Sequence, residues 1–281
     1  MALNNLCKSR KLVSALRSKF YSSTGSLVSV EVNDQSGIAL VNLQRPPVNS
    51  LNLELLTSFK DTLKTLEKEK SRGAIITSPF KTFSAGLDIM EMYNPDPKRA
   101  KEFWITLQDV WIALYGSSFP TVALINGPSP AGGCLLSMCC EYRIIVPKTV
   151  IGLNETQLGI VAPSWFADTM ENTIGKRTTE LALTTGKLFT SEEALKVGLV
   201  DEVVQSKEEG LERARGFLNR FAKISPMARS MSKQIVRGET IQKLVKNREE
   251  DLQLFLNTIQ QEEVRKGLGR YIEALKKKQT A

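Results

Sequence analysis

Apolar and polar positions change period several times along the chain, and each change predicts an element. Leu27 to Val32 and Ile38 to Leu43 alternate or run apolar around Asn33-Asp34-Gln35-Ser36-Gly37, the signal of a hairpin. Arg45-Pro46-Pro47 then breaks the second strand. Beyond Asn52, a residue suited to capping, Leu56, Phe59, Leu63 and Leu66 fall at helical spacing that ends in the charged run Glu67 to Lys70. Gly73 to Thr77 reads as a short buried strand, Lys81 to Ile89 as a glycine-containing loop, and Pro97 to Tyr115 as a long helix burying Phe103, Leu107, Trp111 and Leu114. Thr121 to Ile125 is a further strand, closed by Asn126-Gly127-Pro128. Ala131 to Cys140 is small and apolar all round, as a fully buried helix is. Tyr142 to Val146 and Leu199 to Val204 supply the last strands, and from Lys207 the chain is helical and charge-rich. Strands alternating with helices from about residue 27 to 204 predict an α/β fold with helices covering a sheet.

Charge changes this picture at one end only. The formal net charge is +8, but residues 1–30 hold Lys8, Arg10, Lys11, Arg17 and Lys19 with no acid. Setting those five aside leaves 33 bases against 30 acids, so the body is only mildly basic. With Leu6, Leu12, Val13, Leu16 and Phe20 on one side of a helical wheel and serines following, residues 1–22 read as a mitochondrial presequence, and the matrix is the expected location. The C-terminal Gln-Thr-Ala is not a peroxisomal address. Residues 23–205 form the expected core and 206–281 a helical C-terminal segment. No apolar run approaches the roughly 20 residues of a membrane span. Without basic-aromatic interleaving, no nucleic-acid partner is expected.

Composition also narrows the chemistry. There is no histidine, which excludes a Ser-His-Asp triad, a Cys-His pair and a His-ligated metal. Cys7, Cys134, Cys139 and Cys140 lack metal-binding spacing; they read as small thiols, buried in the core except for Cys7 in the presequence, and no metal is expected. Acid–base work falls to Glu, Asp, Lys, Tyr or Cys. Between Lys148 and Asp168 stands one carboxylate, Glu155, set among Ile151, Leu153, Leu158, Ile160 and Val161. Apolar surroundings resist ionisation and raise its pKa toward the range of a general base. Two loops share a strand, glycine turn, helix layout: Phe83 to Ile89 and Asn126 to Cys134. A helix starting near Gly132 aims free N–H groups outward, and one N–H from each loop makes an oxyanion hole.

Phe-Ser-Ala-Gly-Leu-Asp at 83–88, Ala-Leu-Ile-Asn-Gly at 123–127, Ala-Gly-Gly-Cys at 131–134, Cys-Glu-Tyr-Arg at 140–143 and Ala-Leu-Lys-Val-Gly-Leu-Val-Asp at 194–201 together resemble the crotonase (enoyl-CoA hydratase/isomerase) superfamily. The resemblance implies a ββα-spiral core, a C-terminal helical segment that makes homotrimers, acyl-CoA thioester substrates and no separate cofactor. It also implies hole donors at the Ala85 and Gly132 amides, and a substrate site lined by Ala85, Gly86, Leu87, Asp88, Ile89 and Gly132. Family hydratases carry a glutamate directly after the Gly-Gly-Cys equivalent, where this chain has Leu135, and a second at the position of Glu155. Asp168 and Glu171 stand at helical positions that read as exposed. One base suits transfer of a proton from C2 to C4, so the implied reaction is conversion of 3-enoyl-CoA to 2-trans-enoyl-CoA in the oxidation of unsaturated fatty acids. The alternatives are another reaction of the superfamily, such as enoyl-CoA hydration, and RNA binding as in some relatives.

Overall fold

The computed structural model describes residues 18–21 and 26–280. Its main sheet grows outward from the hairpin. β2 (Val28–Asn33) and β3 (Ile38–Leu43) pair antiparallel, Val28 opposite Leu43 and Val32 opposite Ala39. Asn33 closes the turn: its Oδ1 accepts from the Gln35 and Ser36 amides and its carbonyl from Gly37. β1 (Ser18–Tyr21) lies antiparallel on the outer edge of β2. It falls inside the segment read as a presequence, whose other residues, with Cys7, lie outside the described residues.

From β3 onward the strands of this sheet are parallel, each return made by a crossover because parallel neighbours cannot be joined by a tight turn. α1 (Leu53–Lys68) leads to β4 (Gly73–Thr77), and α2 (Pro97–Tyr115) to β5 (Thr121–Ile125). Next come β6 (Ser129–Pro130), α3 (Gly132–Cys139), β7 (Tyr142–Ile145) and β8 (Val150–Gly152). α4 (Ser164–Ile174), α5 (Lys176–Thr185), β9 (Phe189–Thr190), α6 (Ser191–Val197) and β10 (Glu202–Val203) complete the core. The large sheet runs β1-β2-β3-β4-β5-β7-β10, and β6-β8-β9 form a small second sheet.

Local sequence accounts for the helix starts. Asn52 Oδ1 accepts from the Leu55 amide at 3.1 Å, and Asp96 Oδ1 from Arg99 at 3.0 Å ahead of Pro97. The expected strand Leu199–Val204 shortens to Glu202–Val203. The Leu199 and Val200 amides instead bond back to Ala194 O, closing α6 after left-handed Gly198 (φ 79°).

One face of the sheet packs on α1, α2 and α3, with Trp104, Trp111 and Trp165 buried among them. The other face, carrying Ile38, Ile75, Val122, Leu124 and Ile144, is covered by α7 (Lys207–Asn219) through Leu211, Ala214, Phe217 and Leu218. The first helix of the 206–281 segment therefore serves the sheet. α8 (Pro226–Gln260) is interrupted at Asn247 (φ −108°, ψ 15°) and leads into α9 (Glu262–Thr280). Its second half brings Leu252, Phe255 and Ile259 to the core, Phe255 stacking on Trp104 at 3.9 Å.

The first half of α8 is fastened by polar side chains. Arg229 donates to Ser118 O at 2.5 Å, Lys233 to Ser117 O at 3.0 Å and Gln234 to Gly116 O at 2.9 Å. Arg237 reaches Tyr115 O at 3.1 Å and Cys139 O at 2.7 Å. The acceptors lie at or just beyond the C-terminal ends of α2 and α3, where unpaired carbonyls and negative dipole ends favour cations. On the outer side, Met227, Met231 and Ile235 are 71%, 59% and 83% exposed at helical spacing. Among the described residues no helix is long and apolar enough to cross a membrane.

Candidate active site

The two glycine loops meet at the carboxyl ends of β4 and β5. Asn126 ties these ends together, donating Nδ2 to Ser78 O at 3.0 Å and Phe80 O at 2.7 Å. Gly86 has φ 88°, and a Cβ there would lie 3.0 Å from Ala131 Cβ and 3.3 Å from Gly132 N. Only glycine allows this approach. A Cβ on Gly132 would meet Leu51 Cδ1 at 3.0 Å, Leu87 Cδ2 at 3.1 Å and Leu87 N at 3.2 Å. Gly86, Leu87 and Gly132 therefore sit against one another.

The free donors of this junction follow from accounting for each amide. In the first loop the Phe83 and Ser84 amides bond Pro128 O, and Gly86 N bonds Ser84 Oγ at 3.2 Å. Leu51 accepts from Asp88 N and donates to Gly86 O, the pattern of a parallel bridge opposite Leu87. Such a bridge turns the N–H of Leu87 away from Leu51, and it meets no acceptor among the described residues. In the second loop Ala131 (φ 49°) bonds Gly152 O through its amide at 2.8 Å, and Leu135 N to Ala131 O is the first bond of α3. Gly132 N therefore belongs to the unpaired first turn of a helix without a side-chain cap. Of the unpaired main-chain donors, those of Leu87 and Gly132 lie against one another at the junction, a Cβ on Gly132 falling 3.2 Å from Leu87 N.

The acid comes from the next segment. The Ala131–Gly152 bond holds the end of β8 beside the start of α3, and Glu155 follows three residues later in a 3-10 turn, Glu155–Leu158. Left-handed Gly159 (φ 75°) ends the turn, Thr156 Oγ1 fastens it to Leu183 O at 2.6 Å, and α9 packs against it. Glu155 is 5% exposed, and neither carboxylate oxygen has a hydrogen-bond partner among the described residues. Burial pushes its pKa up to about 7, its own backbone N–H pulling weakly the other way. It lies close enough to Cys134 to help raise that buried thiol, after desolvation. Leu135, on the same turn of α3, is fully buried and brings no second carboxylate.

A family profile described as enoyl-CoA hydratase/isomerase matches residues 33–280. The chain belongs to the enoyl-CoA hydratase/isomerase family. It is 47% identical over 255 residues to mouse "Enoyl-CoA delta isomerase 1, mitochondrial", covering 89% of this chain and 88% of the relative. The human protein of that name is 44% identical, with 89% and 83% covered. The crystal structure of human mitochondrial delta3-delta2-enoyl-CoA isomerase matches with TM-score 0.87 at 44% identity over 90% of this chain and 99% of that one. An enoyl-CoA hydratase structure from Bacillus halodurans matches with TM-score 0.80 at 26% identity over 87% and 100%.

Within this enoyl-CoA hydratase/isomerase fold, Gly132 and Glu155 stand where the sequence puts them, at a helix start and in an apolar setting. Ala85 does not serve as the donor: its amide is taken by Val48 O at 2.9 Å, and Leu87 two residues on keeps the free N–H. Asp88 lies at the loop, but its carboxylate caps the 3-10 turn Ile89–Glu91 at Met90 N and pairs with Arg45 at 2.9 Å. Val161 is 84% exposed and takes no part in enclosing Glu155, whereas Ile151 and Leu153 are buried. Asp168 is half-buried rather than exposed and pairs with Lys243 at 2.7 Å; Glu171 is exposed in the same groove between α4 and α8. Lys81 is exposed. Lys207, which periodicity marked only as a helix start, donates to Ser78 O at 2.7 Å, its pKa lowered by burial.

Proposed function

We propose that the protein moves the double bond of 3-enoyl-CoA to give 2-trans-enoyl-CoA in the oxidation of unsaturated fatty acids. The observation that carries this reading is a single buried, unpartnered carboxylate, Glu155, next to an unpaired helix start with Leu135 where a second acid would stand. The thioester oxygen sits between the Leu87 and Gly132 amides, which acidifies the C2 proton. Glu155, half ionised at its pKa of about 7 and increasingly so above it, takes that proton in its carboxylate form. The resulting dienolate carries its charge on the oxygen in the hole, each donor stabilising it by roughly 3 kcal/mol. Protonated Glu155 then delivers to C4, and the base is regenerated. Proton and charge balance as written, with no metal or redox step.

Relatives named as isomerases at 44–47% identity support this reading over enoyl-CoA hydration. Hydration on one face uses two carboxylates, one activating water and one protonating carbon, and among the described residues only Glu155 stands buried and unpartnered at this junction. The mitochondrial names of the same relatives support matrix location and removal of residues 1–22. The exposed stripe of Met227, Met231 and Ile235 on α8 supports assembly of the 206–281 segment into a homotrimer. Product analysis with 3-enoyl-CoA as sole substrate tests the chemistry. 2-trans-Enoyl-CoA is expected; accumulation of 3-hydroxyacyl-CoA without it, or no turnover, defeats the reading.

A further inference from the structure

Which amide of the 83–88 loop faces the substrate is decided by a segment more than thirty residues earlier, and one residue there supplies every side-chain hydrogen bond from 48–51 to that stretch. Asn49 is fully buried and held at φ 52°, a left-handed conformation that Asn tolerates better than most residues. Its Nδ2 donates to Phe83 O at 3.0 Å and to Ser78 Oγ at 2.8 Å, and its Oδ1 accepts from Arg45 N at 2.8 Å. Its main-chain oxygen accepts from Ser84 Oγ at 2.7 Å, and the same Oγ receives Gly86 N. On either side, Val48 O takes the Ala85 amide and Leu51 bridges Gly86 and Asp88. These bonds join no two strands and no two helices; those that leave the 45–51 segment converge on the 78–88 stretch. Removing the Val48 and Leu51 bonds would release the Ala85 and Asp88 amides as rival donors, so the register of 48–51 against 84–88 selects Leu87.

We propose that Asn49, acting with Ser84, is the positioning residue of the oxyanion hole: it sets the orientation of the Leu87 N–H without touching the substrate. This rests on the isomerase reading above. The test compares wild type with Asn49→Gly, which keeps the left-handed backbone and removes the amide, and with Ser84→Ala. Leu63→Ala, a cavity in α1, is the control for destabilisation alone. Three quantities are measured: kcat and KM for 3-enoyl-CoA, the melting temperature, and the enolate absorbance of bound acetoacetyl-CoA at fixed pH. A hole donor turned out of line costs about 10²-fold in kcat. KM stays within about twofold, since interactions made only in the transition state are the ones lost. The enolate fraction falls in both variants, while the control keeps its kcat per folded molecule and its enolate band. The proposal is overturned if folded variants keep kcat and enolate band, if their losses match those of the control, or if neither variant can be recovered folded. A wild type that forms the enolate band yet leaves 3-enoyl-CoA unchanged removes the isomerase reading instead, and the band alone then decides the role of Asn49.

Discussion

Glu155 and Lys233 are both ionisable side chains buried in this fold, 5% and 8% exposed, and burial moves both toward neutrality. Glu155 rises to about 7, and Lys233 falls to about 8 with Glu141 pulling the other way. By burial and pKa alone they are alike. Their partners separate them. Lys233 Nζ donates to Ser117 O and Ser117 Oγ at 3.0 and 2.9 Å and lies 3.6 Å from Glu141, which also pairs with Arg229. Among the described residues Glu155 has no partner for either oxygen. A buried charge with its bonds made holds a helix in place; a buried charge with its bonds unmade is waiting for something else to supply them.

The comparison breaks most sharply at Glu155→Gln. Loss of the proton acceptor should lower kcat by roughly 10²- to 10⁴-fold or more, with substrate binding retained. Stability should move the opposite way. The folded pKa of about 7 exceeds the 4.5 of the free group, so the folded state holds its proton more tightly. Stability from this group is full below pH 4.5 and lost as pH rises through 7. Above that, burying the charge costs about 3 kcal/mol, which the glutamine does not incur. Melting curves across this range should show the variant gaining on wild type as pH increases. A variant that is active, or less stable than wild type at high pH, removes the contrast.

Gly132→Val acts on the main-chain half of the site. Its side chain collides with Leu51 and Leu87 and drives the two donors apart, so a loss of at least 10²-fold is expected in a chain that still folds. Near-normal turnover would place the hole elsewhere.

Lys233→Met should do the reverse of Glu155→Gln: kcat per folded molecule unchanged and stability reduced by about 1–3 kcal/mol, since Ser117 O loses its donor. Its pH signature also differs. The folded pKa of about 8 lies below the free value of 10.5, so wild-type stability from this group improves as pH rises between them. That improvement should vanish in the variant, which thermal melts between those limits will read. The smallest effect sought is isotopic. With C2-deuterated 3-enoyl-CoA, part of the label should appear at C4 by mass spectrometry, because one shielded carboxylate returns the proton it took. Complete washout together with an active Glu155→Gln variant would sink the one-base route.

Much of the fold was legible because it is local. Ile38–Leu43, Gly73–Thr77, Pro97–Tyr115 and Thr121–Ile125 have their observed bounds, set by uninterrupted periodicity between Gly, Pro and Asn breakers. Glu155 was legible for the same reason, as one acid in an apolar run. The hole was half legible. Gly132 announces a helix start, but the choice of Leu87 over Ala85 depends on bonds from Val48 and Leu51, which no neighbouring residue signals. The exposure of Val161 and the pairing of Asp168 with Lys243 are likewise matters of distant packing.

The two donors at this junction are peptide N–H groups, and that has a consequence for how the chain tolerates change. A substitution at position 87 alters a side chain and leaves the N–H in place, whereas a substitution at 155 deletes the base outright. Damage to the two halves of the site is therefore unequal. Chains that lose Glu155 should still capture and polarise a thioester, so their expected fate is a ligand-holding protein, or a scaffold on which a differently placed acid builds another reaction.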